Sequence, residues 1–253
     1  MHVHTIACLS IFAAATLSAG PLEDLRVFLR NHPGHHPVLL KVSGEFQQVE
    51  ESRKKTVEKL PMQSVQFNVA DGPSGFQLTW AQSFLADAVE RNPAEDLSLI
   101  LPNLTHASMA WLDPICLSRT INPVRSLQRL LEVAKLKGVK DDVWDGKPAQ
   151  RLDLAFMSTV PARYRQRANT TNGTLTVWIK PDGTPLASEI TQRYQGLTGR
   201  FSGEFSRFSS QKTTYGLLED RLISATLRIE ERVAAGWDIT RTVLALKVEE
   251  EKP

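Results

Sequence analysis

The dominant pattern along the chain is an alternation of apolar and polar residues. Apolar side chains occupy every second position in the segments 38–46, 65–69 and 76–80, and the alternation returns between residues 141 and 248. A period of two places successive side chains on opposite faces of a strand, and turn-forming residues separate these segments. The pattern therefore predicts antiparallel strands, each with one apolar and one polar face.

Two short sequences in the second half of the chain predict tight hairpin turns. Asp145-Gly146 lies between two alternating runs, and Pro181-Asp182-Gly183 follows another. Asp-Gly is a strong hairpin signal because both positions adopt positive φ at little cost, and proline presets the geometry of a turn. We expect each turn to join neighbouring strands.

Helical spacing of apolar residues occurs in three places. The segment 21–32 begins with proline and has acidic residues in its first turn. A second helix is predicted over 82–93. In the third, Asn122 is the expected cap, Pro123 the first helical residue and Gly138 the stop signal.

The two groups of strands thus flank a helical insertion, at about residues 81–138. Strands with one apolar face must bury that face, and the helices provide the cover. The predicted fold class is α+β and mainly antiparallel β, with helices against the apolar side of a curved sheet. The space between these layers is either a packed core or a pocket.

The N-terminal segment, residues 1–20, contains no Lys, Arg, Asp or Glu. Its apolar stretch, residues 6–17, is short for a bilayer span, and small residues follow it. This composition resembles a secretory signal peptide and predicts cleavage near Ala19 or Gly20, which leaves residues 21–253 as a single domain. The alternative is a disordered or docked N-terminal helix.

Composition and charge exclude some classes of protein. The chain has 253 residues, 42% of them hydrophobic and 23% charged, which is ordinary for a globular protein. Its formal net charge of +2 gives no basic footprint for nucleic acid. Of the two cysteines, Cys8 lies in the signal-like segment, so the mature chain keeps only Cys116 and forms no internal disulfide.

Two consecutive stretches resemble the bacterial periplasmic lipoprotein carriers, the LolA/LolB-like superfamily. The sequence TLTVWIKPDGTPLASEI, residues 174–190, looks like a strand-turn-strand unit of that family, and VWDGKPAQRLDLAF, residues 143–156, is similar to the hairpin before it. The resemblance implies an incomplete, curved, half-open barrel, lined with apolar side chains and plugged by helices. It also implies a periplasmic protein that binds acyl chains of lipoproteins, other lipids or hydrophobic molecules.

The apolar face of the second strand group is the predicted ligand-binding surface. Its ten residues are Leu154, Phe156, Leu175, Val177, Ile179, Phe201, Phe205, Ile223, Leu227 and Ile229. The expected partner is a lipid or a lipidated protein, with peripheral contact to a membrane and lipoprotein transport as the wider role. The alternative is an envelope interaction or stress-sensing module of the same fold, with a filled core and a protein partner.

No arrangement in the sequence predicts catalysis or a resident cofactor. His32, His35 and His36 are close together, but no Asp, Glu or Cys stands nearby and the prolines keep the segment extended, so a solvated loop is favoured over a metal site. No nucleophile elbow, phosphate loop or dinucleotide fingerprint occurs. We expect a protein that is not an enzyme and has no catalytic residues.

Two surface features have open interpretations. Trp178 shares a strand face with Thr176 and Lys180, where it either anchors a ligand at the rim or packs on the outer face of a neighbouring strand. The basic cluster RYRQR, residues 163–167, either attracts anionic lipid or forms a polar loop.

Overall fold

The computed structural model describes residues 20–52, 55–59, 62–80, 82, 114–157, 168–197 and 204–251. The helices with defined bounds are Pro21–Asn31 (α1), Pro114–Ile121 (α2) and Val124–Val133 (α3). The strands are Val38–Ser52 (β1), Lys55–Lys59 (β2), Gln63–Gly72 (β3), Gly75–Trp80 (β4), Lys135–Trp144 (β5), Lys147–Phe156 (β6), Ala168–Ile179 (β7), Pro185–Leu197 (β8), Glu204–Leu218 (β9), Arg221–Ala235 (β10) and Asp238–Glu250 (β11).

All of these strands belong to one antiparallel sheet. Their order is β4-β3-β1-β11-β10-β9-β8-β7-β6-β5, and β2 pairs with β1 beside β3. The first strand group therefore joins the second through the pairing of β1 with the last strand, β11. Among the described strands β4 and β5 are the two ends of an open sheet. The predicted fold class, α+β and mainly antiparallel β, is confirmed.

One transverse row of paired residues shows which face of the sheet is covered. From β6 to β3 the row consists of Leu152, Val177, Ser188, Thr213, Leu227, Leu246, Gly44 and Val65. Every residue of this row is buried. One face of the sheet is thus shielded from water across eight strands, as the alternation predicts.

Two apolar clusters fill this covered face. The first, here the α2 cluster, packs Leu117 and Ile121 of α2 against apolar residues of β1, β3, β10 and β11. The second, here the α1–α3 cluster, packs α1 and α3 against β6 and β7, with Leu25, Leu29 and Leu127 among its buried members. Burying a leucine or isoleucine side chain contributes about 1.5–3 kcal/mol, so these contacts hold the helices on the sheet.

Both predicted hairpins form. Asp145 has φ 50° and Gly146 φ 73°, the positive values that a tight turn between β5 and β6 requires. Gly183, with φ 84°, forms the turn between β7 and β8. A Cβ atom at Gly183 would overlap the backbone of Asp24, so this turn also packs against α1.

The third helix differs from the prediction at both ends. It starts at Val124 without a side-chain cap, because the N-cap residue is Pro123, whose side chain forms no hydrogen bond. The Asn122 side chain binds Asp71 and Arg221 instead. It ends at Val133, and β5 begins at Lys135. Gly138 lies at a register shift within the β5–β6 pair, so it is a bulge glycine and not a helix stop. Pairing with β6 overrides the local helical pattern, and the helical interval ends before residue 138.

Other predictions fall on residues outside the described ranges. These are the predicted helix at 82–93, except for residue 82, and the signal-like segment up to residue 19. Within the described residues, none of the helices combines the length and apolar character of a bilayer span.

Candidate functional site

A cavity of about 780 Å³ opens where four parts of the chain meet. These are the loop after α1, the hairpin between β3 and β4, the helices α2 and α3, and the start of β10. The described lining residues are Pro33, Gly34, His35, Asp71, Gly72, Pro73, Phe76, Ser118, Arg119, Asn122, Val124, Arg125, Ser126, Arg129, Arg221 and Leu222. The lining combines apolar side chains with an unusually high share of arginine.

Arg221 is the structural centre of this cavity. Its side chain is only 6% exposed, and Nη1 donates to the Asp71 carboxylate and to Oδ1 of Asn122, the latter at 3.1 Å. Nη2 donates to the carbonyl oxygen of Gly34 at 2.6 Å. Asn122 in turn donates from Nδ2 to Asp71 at 2.6 Å. A buried charge needs such partners, and these bonds tie the four segments together.

The N-terminus of α3 forms part of the wall. The first hydrogen bond within this helix runs from the Leu127 N–H to the Pro123 carbonyl, and no side chain caps the helix. The N–H groups of Val124, Arg125 and Ser126 precede that bond, and all three residues line the cavity. Such N–H groups carry the positive end of the helix dipole.

The lining is electropositive. Arg119, Arg125 and Arg129 are exposed, whereas Arg221 is buried. With His35 neutral, Asp71 is the single acidic residue among the described lining residues, which gives the lining a formal charge of +3. The formal charge of the cavity lining is therefore higher than the net charge of the whole chain, which is +2.

These arginines were not among the residues predicted to bind a ligand. Arg125 and Arg129 stand four positions apart on a predicted helix, so their common face was readable from the sequence. Arg119 and Arg221 carry no such signal, because their approach depends on tertiary packing.

The histidine-rich loop after α1 lies beside the cavity. The described residues contain no group of three or more His, Cys, Asp or Glu side chains placed to hold a metal ion. The His32 ring stacks on Phe28, with ring centroids 3.9 Å apart. The backbone N–H groups of His35 and His36 donate to the Asp220 carboxylate, and His36 Nδ1 lies 2.7 Å from Asp220 Oδ1.

The His36–Asp220 pair changes the acidity of both groups. The hydrogen bond from His36 is the main cause that holds the pKa of Asp220 at about 2. The same bond, with the nearby charges of Asp220 and Glu219, raises the pKa of His36. The stabilisation that the pair provides is therefore fully present from about pH 4 to about pH 6.5, between the ordinary pKa values of the two groups.

We expect replacement of His36 by glutamine to change how stability depends on pH. A histidine with a raised pKa contributes its full stabilisation below about pH 6.5 and loses it as the pH rises through the raised value. The stability difference between wild type and His36→Gln should thus be largest between about pH 4 and 6.5 and shrink above it. Urea unfolding at a series of pH values measures this difference.

His35→Gln is the matched control, because only the backbone N–H of His35 bonds to Asp220. Its pH dependence should follow that of the wild type. A His36→Gln variant with the wild-type pH dependence would contradict the role of this pair.

The nine described members of the predicted ligand-binding surface are buried, eight of them in the two clusters. Leu154, Phe156, Leu175, Val177 and Ile179 belong to the α1–α3 cluster. Ile223, Leu227 and Ile229 belong to the α2 cluster. Phe205 is 2% exposed, and Phe201 lies outside the described residues.

None of these nine described residues lines the cavity. The cavity instead borders both clusters through other apolar residues. Phe76 packs against the α2 cluster, and Val124 and Leu222 belong to the α1–α3 cluster. The ten residues remain a predicted binding surface, and the cavity is the candidate site that the described structure shows.

Trp178 packs on the outer face of neighbouring strands. Its ring lies 4.8 Å from that of Trp144, and Nε1 donates to Asp142 at 2.9 Å. The Arg151 guanidinium lies 5.6 Å from the ring centroid. These contacts favour the packing interpretation of Trp178, while the basic cluster 163–167 lies outside the described residues.

No protein-family profile matches the chain, and the comparison with curated proteins finds no relative. Among solved structures, the crystal structure of a LolA superfamily protein from Nitrosomonas europaea is similar at 8% sequence identity and a TM-score of 0.24. The match covers 91% of this chain and 94% of that one. At this TM-score the similarity supports no conclusion about fold or function.

Proposed function

We propose that this protein binds a lipid, an acyl chain or another hydrophobic molecule non-covalently, as a carrier in the periplasm. The observation that carries the proposal is the cavity of about 780 Å³ at the border of the two apolar clusters. Its volume falls within the range of about 300–1,000 Å³ that small-molecule sites occupy. The location and the carrier role come from the resemblance of residues 143–156 and 174–190 to the periplasmic lipoprotein carriers.

The apolar part of the lining supplies the driving force in this proposal. Phe76, Val124 and Leu222 offer a hydrophobic wall for a hydrocarbon chain. Removing apolar surface from water contributes about 25 cal/mol per Å², so a single acyl chain gains enough to bind a preformed cavity. The partner is therefore a lipid or the lipid part of a lipidated protein.

Binding, and not catalysis, fits the polar groups of the cavity. Asp71 and Asn122 already bind Arg221 and each other, in an arrangement that joins segments of the fold. The Asp71 carboxylate is thus engaged by Arg221 and Asn122, whereas a general base needs an accessible lone pair near its substrate.

A second candidate function is an interaction or sensing module with a filled core. The observation that favours it is the burial of the predicted ligand-binding surface, whose nine described members are at most 8% exposed. In this alternative a partner protein of the cell envelope binds the outside of the fold.

Filling the cavity with a large side chain should weaken lipid binding. Ser126 is half-buried, lines the cavity and lies on α3, so Ser126→Trp places an indole in the ligand space. We expect affinity for a fluorescent fatty acid to fall about tenfold or more, since each 1.4 kcal/mol of lost contact is a factor of ten. Native mass spectrometry of gently purified protein tests for co-purifying lipid in parallel.

Val133→Trp is the control, because Val133 is on the same helix, is 61% exposed and does not line the cavity. It should bind like the wild type. A folded wild-type protein that carries no lipid and takes up no fatty acid would exclude the carrier function and favour the interaction module.

A further inference from the structure

We propose that the cavity recognises a phosphate group on its ligand, through Arg125, Arg129, Arg119 and the first N–H groups of α3. This inference rests on the proposed ligand-binding function and specifies the chemistry of the ligand. A phosphate on an amphiphilic lipid and a phosphate on a soluble compound present the same oxygens to these donors.

The placement of the arginines on α3 is unfavourable without an anion. Arg125 and Arg129 are four positions apart, so two like charges lie on the same face of the helix and repel each other. Arg125 is also in the first turn, where the helix dipole disfavours a cation, and that turn contains no acidic residue. Within the described chain neither arginine forms an ion pair. A bound anion would offset both the repulsion between the two arginines and the unfavourable interaction of Arg125 with the helix dipole.

A third exposed arginine approaches from another element. Arg119 lies on α2 and lines the same cavity, and it also has no ion pair among the described residues. Arginines from two helices thus line one cavity, together with the residues that carry the uncapped N–H groups of α3. Several planar donors and backbone N–H groups along one cavity suit the oxygens of phosphate.

Arg221 is a positioning residue for this site. Its bonds to Asp71, Asn122 and Gly34 hold together β3, the connection between α2 and α3, and the loop after α1. Its Nε atom is buried and has no hydrogen-bond partner in the described structure. The charge of Arg221 is largely balanced by Asp71, so the exposed arginines supply the excess positive charge.

A small anion fits this charge distribution better than nucleic acid. The arginines of this site line one concavity, and the chain as a whole has a net charge of only +2. Nucleic-acid binding requires a basic surface that extends over several phosphates.

The test compares three probes by calorimetric titration of the whole protein. Lysophosphatidylglycerol carries a chain and a phosphate, glycerol 3-phosphate carries the phosphate alone, and monoacylglycerol carries the chain alone. The double variant Arg125→Gln/Arg129→Gln should lose roughly tenfold in affinity for lysophosphatidylglycerol per arginine, because each charge-assisted hydrogen bond contributes about 1.5 kcal/mol. Its affinity for monoacylglycerol should not change.

The matched control is Arg232→Gln/Arg241→Gln, which removes the same charge from two exposed, cross-strand arginines outside the cavity. It should bind all three probes like the wild type. Binding of glycerol 3-phosphate at the affinity of the lysolipid would identify a soluble phosphate compound as the ligand, and binding of the lysolipid alone would identify a lipid headgroup. Both outcomes support the phosphate site.

Two outcomes overturn the phosphate site. If monoacylglycerol binds but lysophosphatidylglycerol binds no better and is insensitive to the double variant, the inference fails and the proposed function stands. If no probe binds to folded wild-type protein, both fail.

Discussion

The Phe205→Glu variant is expected to lose most of the unfolding free energy of the protein. Phe205 is 2% exposed and lies on β9 between Gly196 of β8 and Ala235 of β10. Removing a buried phenylalanine costs about 3–5 kcal/mol, and a carboxylate without partners in its place adds several more. Domains have only about 5–15 kcal/mol in total. Urea unfolding followed by circular dichroism measures the loss.

Phe208→Glu on the same strand is the matched control. Phe208 is 37% exposed and points to the opposite face, where the Arg193 guanidinium lies 5.8 Å from its ring centroid. We expect a change within about 1 kcal/mol, as for other surface substitutions. If Phe205→Glu unfolds at the same urea concentration as Phe208→Glu, water reaches Phe205, and the predicted hydrophobic pocket lies beneath β9.

The strands could be predicted because the alternation of apolar and polar residues is a local property of the sequence. Alternation alone locates β3, β6 and β10, and the buried row across eight strands confirms which residues face inward. The Asp145-Gly146 turn was equally readable, since only residues that tolerate positive φ suit it. The pairing of β1 with β11 was not readable, because no local pattern states which distant strand completes a sheet.

The boundary between α3 and β5 shows where local reasoning fails. Helical spacing and a glycine predict a helix up to Gly138, but residues from Lys135 onward pair with β6. Hydrogen bonds to a neighbouring strand outweigh helix propensities, which differ by less than about 1 kcal/mol per residue.

The candidate site could not be predicted from the sequence, for a related reason. Arg221 meets Asp71 across 150 residues and Asn122 across 99, so only the fold brings them together. Alternation identifies residues that are buried, but it does not distinguish the wall of a cavity from a packed core. The cavity instead forms where the ends of β3, α2, α3 and β10 meet, and no local pattern states that these ends lie together.

Replacement of Arg207 by methionine should have the second large effect on stability. Arg207 and Glu231 form a bidentate pair on the covered face, with Nε–Oε1 at 2.7 Å and Nη2–Oε2 at 2.8 Å. Their side chains are only 8% and 11% exposed. Arg207→Met leaves the Glu231 carboxylate buried without its partner, which costs about 3–5 kcal/mol in comparable pairs.

The double variant Arg207→Met/Glu231→Leu distinguishes the net contribution of the ion pair from the cost of leaving one member of it unpaired. Because the attraction in a buried pair roughly offsets its desolvation, the double variant should recover to within about 2 kcal/mol of the wild type. Arg228→Met is the exposed control on β10, where Arg228 and Glu230 are 54% and 53% exposed and 2.7 Å apart, and it should cost less than about 1 kcal/mol. Urea unfolding of the wild type, Arg207→Met, Glu231→Leu and the double variant gives the coupling energy. A double variant as unstable as Arg207→Met would show instead that the ion pair itself is required, as a specific polar contact between β9 and β10.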